Sequence, residues 1–582
     1  MELHEVAPLG YGQGGEPVNG PDFLEVLVFV LLVTVLMVPT GNYLYRLMEA
    51  GEGPFGRVFL PVERPLYRLM GVDPDEEMDF RAYAKALVLS NLFMMLLGYA
   101  VFRLQGYLPL NPDRIPNQSP DLAFNTAASF ITNTNWQSYS GETAMSILGQ
   151  MLGITFLMTV SAATGIVAAF AAIRGIRGDR TLGNFYRDFT RVVVRFLLPL
   201  SFVVALLYVA EGMPQTLLGR VPVTTLDGAQ QVIARGPIAT LEVIKHLGTN
   251  GGGYFGANAA HPYENPTPFT NLLHMLLVML VPTSLLVTFG RATGRMRLAW
   301  LLYAGVFAIF LTHFAVVYAA ETWGTPALRE LGVQGGNFEG KEWRFGIVGA
   351  SLFTTVTTAA TTGSVDNMHD SLTPLGGMIP LFQMMLNTVF GGVGAGFLNI
   401  LMYVLLTVFL SGLLVGRTPE FLGRKIEPKE MKLLVIALLM HPLLILFPTA
   451  LALSLPGPRE SILNPFFHGI SEVAYAYASG AANNGSAFAG LNADTPFYNV
   501  SIGLVMLFGR FVSLLALVAV AASLGQKRVV PESTGTLKVD TPLFASLVVF
   551  VIWVVGGLTF FPVLALGPLA EHFTMLVQGV AP

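Results

Sequence analysis

Apolar stretches of about 20 residues recur along the whole length of this chain, and each could cross the ~30 Å hydrocarbon core of a bilayer as a helix. The sequence has 582 residues, of which 53% are hydrophobic and only 12% are charged. An ordinary soluble domain has about 25% charged residues. A soluble fold could not bury that much apolar surface. The sequence therefore predicts an all-α integral membrane protein with several spans.

Apolar windows predict ten transmembrane helices. They lie near residues 23–45, 82–104, 145–173, 188–210, 270–290, 297–320, 387–416, 431–454, 498–525 and 541–567. Most of the 33 lysines and arginines fall in loops 46–81, 174–195, 291–297, 417–432 and 527–538. Positively charged loops stay on the cytoplasmic side, so we expect these five loops in the cytoplasm. With an even number of spans, both termini are then predicted to lie outside.

Four short apolar segments, too brief to cross, each lead into a run of Asn, Thr, Ser and Gly. These runs are called the first to fourth polar loops, and they cover residues 132–137, 248–254, 360–364 and 482–486. Counted from Thr134, Thr249, Thr362 and Asn484, they recur about every 110 to 120 residues, which indicates a duplicated unit. Each unit consists of a span, a half-helix, a polar loop and a second span, and every loop starts from the predicted outside.

The repeats divide the chain into six parts. Residues 1–81 form an external N-terminus, the first span and a cytoplasmic loop, and residues 531–582 form the last span and an external C-terminus. Between them, the four pseudo-fourfold repeats are expected at 82–187, 188–296, 297–430 and 431–530.

The four polar loops are predicted to converge, because non-helical backbone at membrane depth is tolerated only inside protein or beside a water-filled cavity. A half-helix of ~10 residues is about 15 Å long, so its negative dipole end would favour a cation near mid-membrane. Glycine permits unusual dihedrals, and Thr or Asn supplies oxygens without charge. Rings of such oxygens replace the hydration shell of K⁺, whereas Ca²⁺ and Mg²⁺ prefer carboxylates. We therefore expect K⁺ as the ion.

The candidate K⁺ ligands come from all four polar loops. They are Asn133, Thr134, Asn135 and Gln137; Thr249, Asn250, Gly251 and Gly252; Thr361, Thr362 and Gly363; and Asn483, Asn484 and Gly485. Surface turns are the simpler interpretation of any one loop, since Asn, Gly and Ser are ordinary turn residues. Four loops at near-equal spacing, each after a half-helix and on one side, favour an ion filter.

The motifs around these loops resemble the potassium-binding A subunit family of the bacterial Kdp potassium-transporting ATPases, a relative of Trk/Ktr transporters and potassium channels. The resemblance rests on residues 132–137, 248–253, 367–371 with 374–377, 416–420 and 482–490. It implies an external K⁺ filter in a bacterial cytoplasmic (inner) membrane. It also implies that the chain is a non-catalytic subunit, with a P-type ATPase B subunit, a single-span C subunit and a small F subunit as partners beside membrane lipid.

Two further features attract attention beneath the predicted filter. The seventh predicted span is interrupted by four glycines, Gly391, Gly392, Gly394 and Gly396. These glycines either allow close helix packing or weaken the helix by ~1 kcal/mol each. The resemblance implies a broken helix that controls passage.

Arg510 lies mid-span, where a buried charge is costly and usually functional, although a structural ion pair is an alternative. Arg417 is a snorkelling residue by position, and the resemblance places both arginines along the ion route.

Several chemistries are excluded by the sequence. The chain has no cysteine and therefore no disulfide or thiolate metal site, and no basic tract indicates nucleic acid as a partner. It lacks an Asp-Lys-Thr-Gly phosphorylation sequence, and its one near match to a nucleotide loop, residues 335–341, is followed by Glu342 where Ser or Thr is required. We expect no nucleotide as cofactor. A self-sufficient potassium channel or cation symporter of the Trk/Ktr type remains the alternative function, and the residues alone do not separate it from a pump subunit.

Overall fold

Ten helices in the described part of the chain are long and apolar enough to cross a membrane, as predicted. The computed structural model describes residues 20–49, 54–333, 335–414, 416, 418–530 and 537–578. The ten spans are Asp22–Met48, Phe80–Leu104, Gly149–Arg177, Phe185–Ala210, Pro268–Thr293, Met296–Glu330, Ala395–Leu414, Pro428–Ser454, Pro496–Gly525 and Pro542–Val577. Both termini and Arg417, for which the sequence makes predictions, lie outside the described residues.

Four shorter helices lead into the four polar loops, and they are the predicted half-helices. Their bounds are Pro120–Ile131, Ile238–Leu247, Gly346–Ala359 and Phe466–Ala482. The first begins where the Ser119 side chain accepts a hydrogen bond from the Leu122 amide and a proline occupies the first turn, a favourable helix start. Each half-helix follows an even-numbered span, so all four begin on the same side, here called the polar-loop side. The opposite side, with most of the lysines and arginines, is the basic side.

The seventh span is broken, and its predicted range of 387–416 is therefore wrong at the start. A separate helix, Pro374–Leu386, ends in Asn387 with left-handed backbone, and the span begins only at Ala395. Between them lies the glycine segment, residues 391–396, in which Gly391 and Gly394 have φ angles of 66° and 75°. Glycine adopts such left-handed angles without steric cost, so the helix stops and restarts here.

Burial separates the spans into an inner and an outer set. The four spans that follow a polar loop, directly or after the extra helix, are 50–89% buried within the chain, whereas the other six are 17–44% buried. The inner set surrounds the polar loops, and the outer set presents apolar side chains to lipid.

The remaining elements are short. Pro54–Met70 is an amphipathic helix on the basic side whose Glu63 is buried and paired with Arg195; the sequence did not predict it. Antiparallel hairpins pair Val221–Thr224 with Gln230–Ile233, and Glu420–Phe421 with Arg424–Lys425. Other helical pieces are Gly141–Ala144, Asn258–Ala260, Pro326–Glu330, His369–Ser371, Pro456–Arg459 and Ala570–Gln578, and π-helical turns occur at Gly149–Thr155, Val193–Leu197 and Ala565–Leu569.

Candidate functional site

Each half-helix passes into its polar loop through the same backbone hydrogen bond. The amides of Thr134, Asn250, Thr362 and Asn484 each donate to the carbonyl five residues earlier, at 2.7–3.0 Å. The residues just before them, Asn133, Thr249, Thr361 and Asn483, all have left-handed φ angles of 41–66°. Such angles are strained for β-branched threonine. The four loops therefore share one conformation, and Asn250, one residue after the Thr249 reference point used for the sequence, is the counterpart of Thr134.

Carbonyl oxygens from the first, third and fourth polar loops meet beside Gly251 of the second loop. A Cβ atom on Gly251 would lie 2.8 Å from the Thr362 carbonyl oxygen, 2.9 Å from that of Thr134 and 3.0 Å from that of Asn484. These three carbonyls belong to matching positions in the first, third and fourth loops. The polar loops thus converge on one point, and a side chain at residue 251 has no room there.

Glycine is also required where one loop crosses the next. A Cβ on Gly485 would overlap the Thr134 carbonyl oxygen, and a Cβ on Gly363 would overlap that of Asn484. Both glycines have left-handed backbone as well. Close backbone contact therefore links the first loop to the fourth, and the fourth to the third.

Asparagine side chains hold the loops together. The Asn133 amide donates to the carbonyls of Gly248 at 3.0 Å and Thr249 at 2.9 Å, which ties the first loop to the second. Asn483 donates to the Thr134 hydroxyl at 2.9 Å, and Asn484 donates to the Thr357 carbonyl at 3.1 Å. These amides were expected to offer oxygens to the ion. Their amide nitrogens donate to carbonyls and to the Thr134 hydroxyl, while ion binding by their oxygens stays a prediction.

Gln137 and Asn135 differ in how their side chains are used. The Gln137 side chain accepts from the Gly253 amide at 2.8 Å and donates to the Gly253 carbonyl at 3.3 Å. Gln137 therefore joins the first and second loops, with both polar atoms occupied. The Asn135 amide is buried, and neither its oxygen nor its nitrogen has a hydrogen-bond partner. Of these two predicted side-chain ligands, Asn135 has the atoms free for an ion or its water.

A buried ion-pair network supports the second loop from behind. The Lys245 ammonium lies 2.7 Å from Glu264 and 3.2 Å from Glu242, and all three side chains are fully buried. Glu264 also accepts from the Phe255 amide at 2.7 Å, just beyond the loop. A buried ion pair is weak support for stability, but it specifies position. This network was not predicted from the sequence, although Glu242 and Lys245, three residues apart in an apolar half-helix, were its signal.

The glycine segment lies against the first residues of the polar loops. The Val393 amide donates to the Thr249 hydroxyl at 2.8 Å, and the Gly391 amide donates to the Ala359 carbonyl at 2.9 Å. A Cβ on Gly392 would lie 2.6 Å from the Thr361 hydroxyl. Because the half-helices descend from the polar-loop side, this contact is at the deep end of the loops.

Arg510 lies beside the glycine segment. Its guanidinium is buried and donates to the Ser161 carbonyl at 3.3 Å, and the Ser161 hydroxyl donates to the Asn133 side chain at 2.9 Å. A Cβ on Gly165 would lie 2.8 Å from the same guanidinium and would overlap the Val393 carbonyl. A cavity lined partly by Asn387, Asn483 and Arg510 opens next to it. The charge therefore lies between the first polar loop and the broken helix.

Comparison with known proteins gives a consistent set of relatives. A family profile described as "Potassium-transporting ATPase A subunit" matches residues 27–573. Three relatives are named "Potassium-transporting ATPase potassium-binding subunit". The protein from Geobacillus kaustophilus is 54% identical over 94% of this chain and 98% of its own length. The protein from Alicyclobacillus acidocaldarius is 55% identical (95% and 99%), and that from Delftia acidovorans is 53% identical (96% and 99%).

Among solved structures, the potassium transporter TrkH from Vibrio parahaemolyticus has a similar fold. The TM-score is 0.51 and the sequence identity is 15%, and the match covers 86% of this chain and 98% of TrkH. At this identity the similarity concerns the fold alone.

Proposed function

The chain belongs to the family of potassium-transporting ATPase A subunits, and we propose that it selects K⁺ in a filter formed by its four polar loops. Within that family it is the potassium-binding subunit of an ATP-driven transporter, and K⁺ is the ion that it carries. Its assembly with an ATPase partner follows from the same membership. The names of the relatives do not favour the alternative of a self-sufficient channel or symporter.

The convergence of carbonyl oxygens beside Gly251 is the observation that carries the filter proposal. Backbone carbonyls from Thr134, Thr362 and Asn484 approach one point at matching positions, and carbonyl oxygens replace the hydration shell of K⁺. The deep ends of four half-helix dipoles add negative potential at the same place. The Asn133 amide donates to the Thr249 carbonyl, and the Asn483 amide donates to the Thr134 hydroxyl, so both brace neighbouring loops against each other. The filter thus consists of neutral oxygens held by side-chain donors.

Passage below the filter is proposed to depend on the glycine segment and Arg510. The segment contacts the deep end of the loops through the Val393–Thr249 hydrogen bond, and the buried charge of Arg510 lies next to it. A K⁺ ion that leaves the filter would meet both. The adjoining cavity, which Asn387 and Arg510 help to line, is the space into which the ion would move.

Partners and orientation are further parts of the proposal. A P-type ATPase B subunit would hydrolyse ATP, with a single-span C subunit and a small F subunit completing the complex. The chain would lie in the cytoplasmic membrane of a bacterium with its polar-loop side outside, because the opposite loops carry most of the lysines and arginines. The filter would then take K⁺ from the external medium.

Substitution of Gly251 by Ala tests the filter directly. The new methyl group would lie within about 3 Å of three carbonyl oxygens, where it would displace either the carbonyls or the ion. Each 1.4 kcal/mol of lost ligand energy weakens binding about tenfold, so we expect the apparent K⁺ affinity to fall at least about tenfold. The measurement is ATPase activity of the assembled complex against K⁺, Rb⁺ and Na⁺ concentration.

Gly557→Ala is the matched control, because no atom lies within 4 Å of a Cβ at that position in the tenth span. It should leave K⁺ affinity and ion preference unchanged. A Gly251→Ala complex that assembles normally and keeps wild-type affinity and selectivity would show that the polar loops do not form the filter.

A further inference from the structure

Three carboxylates and one imidazole form a cluster on the polar-loop side, away from the filter axis. Asp370 belongs to a 3₁₀ turn that follows the third polar loop, and His468 and Glu472 belong to the first turns of the fourth half-helix. Glu571 belongs to the last helix, Ala570–Gln578. The cluster therefore connects three parts of the fold that are distant in sequence. Neither the filter nor the path below it uses these side chains.

The cluster brings three possible metal ligands together and places a further carboxylate behind the histidine. One possible ligand atom from each of Asp370, His468 and Glu472 lies within 4.8 Å of the other two. The His468 Nε2 atom is 2.9 Å from an Asp370 oxygen, while Nδ1 is 2.8 Å from a Glu571 oxygen. Metal-bound histidines almost always donate their second ring N–H to a carboxylate or carbonyl. Glu571 is in that orienting position.

Glu472 is the most deeply buried member of the cluster. Its side chain is 1% exposed, and one carboxylate oxygen accepts from Asn464 at 2.7 Å while the other has no hydrogen-bond partner. In the described part of the chain, no lysine or arginine forms an ion pair with Asp370, Glu472 or Glu571. His468 is left as the cation that faces all three carboxylates.

We propose that Asp370, His468 and Glu472 bind one divalent transition-metal cation of the zinc type. Imidazole with carboxylates suits Zn²⁺ and its neighbours in the first transition row, whereas Ca²⁺ and Mg²⁺ favour all-oxygen sites. The proton on His468 Nε2, now donated to Asp370, leaves to solvent when the ion binds, and Nδ1–H remains donated to Glu571. Three protein ligands leave a fourth tetrahedral position for water.

The site has defined walls and access from one side. The His468 ring stacks on Phe488 with centroids 5.6 Å apart, and a Cβ on Gly490 would overlap the Glu472 carboxylate. The His468, Asp370 and Glu571 side chains are 13–19% exposed, so an ion can reach them from the polar-loop side. A bound ion would cross-link the last helix to the third and fourth polar-loop regions.

A second cluster of similar composition does not have ligand geometry. Glu242, His246 and His274 are also close together, but the two imidazole rings are stacked 3.8 Å apart at an interplanar angle of 11°. Lone pairs of parallel rings run side by side and cannot converge on one ion. We therefore expect a single Zn²⁺ per chain.

Zn²⁺ titration of the purified complex tests the proposal. Chelator-treated complex is titrated with Zn²⁺ by calorimetry, bound zinc is counted after desalting, and melting temperature is measured with and without Zn²⁺. We expect one Zn²⁺ per chain and a higher melting temperature, because ligand that binds only the folded state stabilises it. Mg²⁺ and Ca²⁺ at the same concentrations should not bind there.

Three variants and one control assign the binding to this cluster. His468→Gln and Glu472→Gln should each remove the stoichiometric Zn²⁺ and its thermal shift, and Glu571→Gln should weaken binding about tenfold to a hundredfold. His572→Gln, one residue beyond Glu571, is the control and should bind normally. Glu472→Gln keeps the Asn464 contact, so it reports on binding if His468→Gln does not fold. No Zn²⁺ binding by the wild type, or unchanged binding in either folded ligand variant, would overturn the proposal and leave the cluster as an ion-pair clamp.

Discussion

Arg510 puts a fixed charge beside the path that we propose for the ion below the filter. At a separation of ~8 Å and an effective dielectric constant of ~20, Coulomb's law gives about 2 kcal/mol of repulsion for K⁺. Arg510→Gln removes that repulsion, and because each 1.36 kcal/mol changes a rate tenfold, passage should speed up by about thirtyfold. We expect K⁺ flux that is poorly coupled to ATP hydrolysis. The measurement is the ratio of ⁸⁶Rb⁺ uptake to ATP hydrolysed in proteoliposomes.

Arg510→Lys separates charge from structure. It keeps the positive charge but loses part of the guanidinium geometry that reaches the Ser161 carbonyl. A barrier that depends on charge predicts near-normal coupling in the lysine variant and loss of coupling in the glutamine variant. Normal coupling in both variants would assign Arg510 a purely structural role.

The sequence indicated loop residues that the structure brings close together, but it did not indicate which contact each side chain makes. The convergence expected of the polar loops is present at Gly251, because close approach to three carbonyls excludes a side chain. Gly251 does not have a positive φ angle. Glycine is therefore needed here because of the close contact and not because of an unusual backbone dihedral. The role of Gln137 could not be read from sequence, since its partner Gly253 lies 116 residues away.

The hydrogen bond from the Val393 amide to the Thr249 hydroxyl joins the broken seventh span to the second polar loop. Thr249→Val keeps the shape and β-branching of the side chain but removes the acceptor. A buried N–H without a partner costs about 1–3 kcal/mol, so the glycine segment should be released from the deep end of the loops. We expect passive ⁸⁶Rb⁺ leak to rise about tenfold in proteoliposomes without ATP.

Thr249→Ser supplies the comparison for this prediction, because serine retains the hydroxyl. It should restrict leak as the wild type does. If Thr249→Val leaks no more than Thr249→Ser while both bind K⁺ normally, the glycine segment does not control passage.

Elements were predictable where one physical signal dominated. Length and apolarity identified all ten spans. The four half-helices were identified because each is a short apolar segment directly before a polar loop. The start of the seventh span was wrong because residues 387–394 are apolar enough to read as a helix, while the φ angles of Gly391 and Gly394 interrupt it. The helix Pro54–Met70 was not predicted because its prolines and charged residues obscure the helical pattern. Its buried face carries Glu63, which pairs with Arg195.

The orientation of the whole molecule can be tested with single cysteines, because the chain has none of its own. Leu226 is fully exposed in the hairpin on the polar-loop side, and Arg180 is exposed on the basic side. We expect an impermeant maleimide to label Leu226→Cys in intact cells. Arg180→Cys should react only after the membrane is permeabilised. The reverse pattern would invert the proposed topology.

The purified chain by itself should hydrolyse no ATP. It has no phosphorylation sequence, and its near match to a nucleotide loop lacks the hydroxyl residue that would bind Mg²⁺. The measurement is phosphate release by the isolated chain and, in parallel, by the complex with its ATPase partner. ATP hydrolysis by the isolated chain that persists after contaminating ATPases are removed would contradict the assignment of hydrolysis to the partner.

The four polar loops belong to one polypeptide, and this has a genetic consequence. In a filter assembled from four identical chains, one codon change alters every quarter of the ring at once. Here the fourth position is Asn135 in the first polar loop and Gly251, Gly363 and Gly485 in the others, so each loop is encoded separately and can change by itself. A single mutation changes one quarter of the proposed filter. Single substitutions can therefore produce intermediate affinities for the ion.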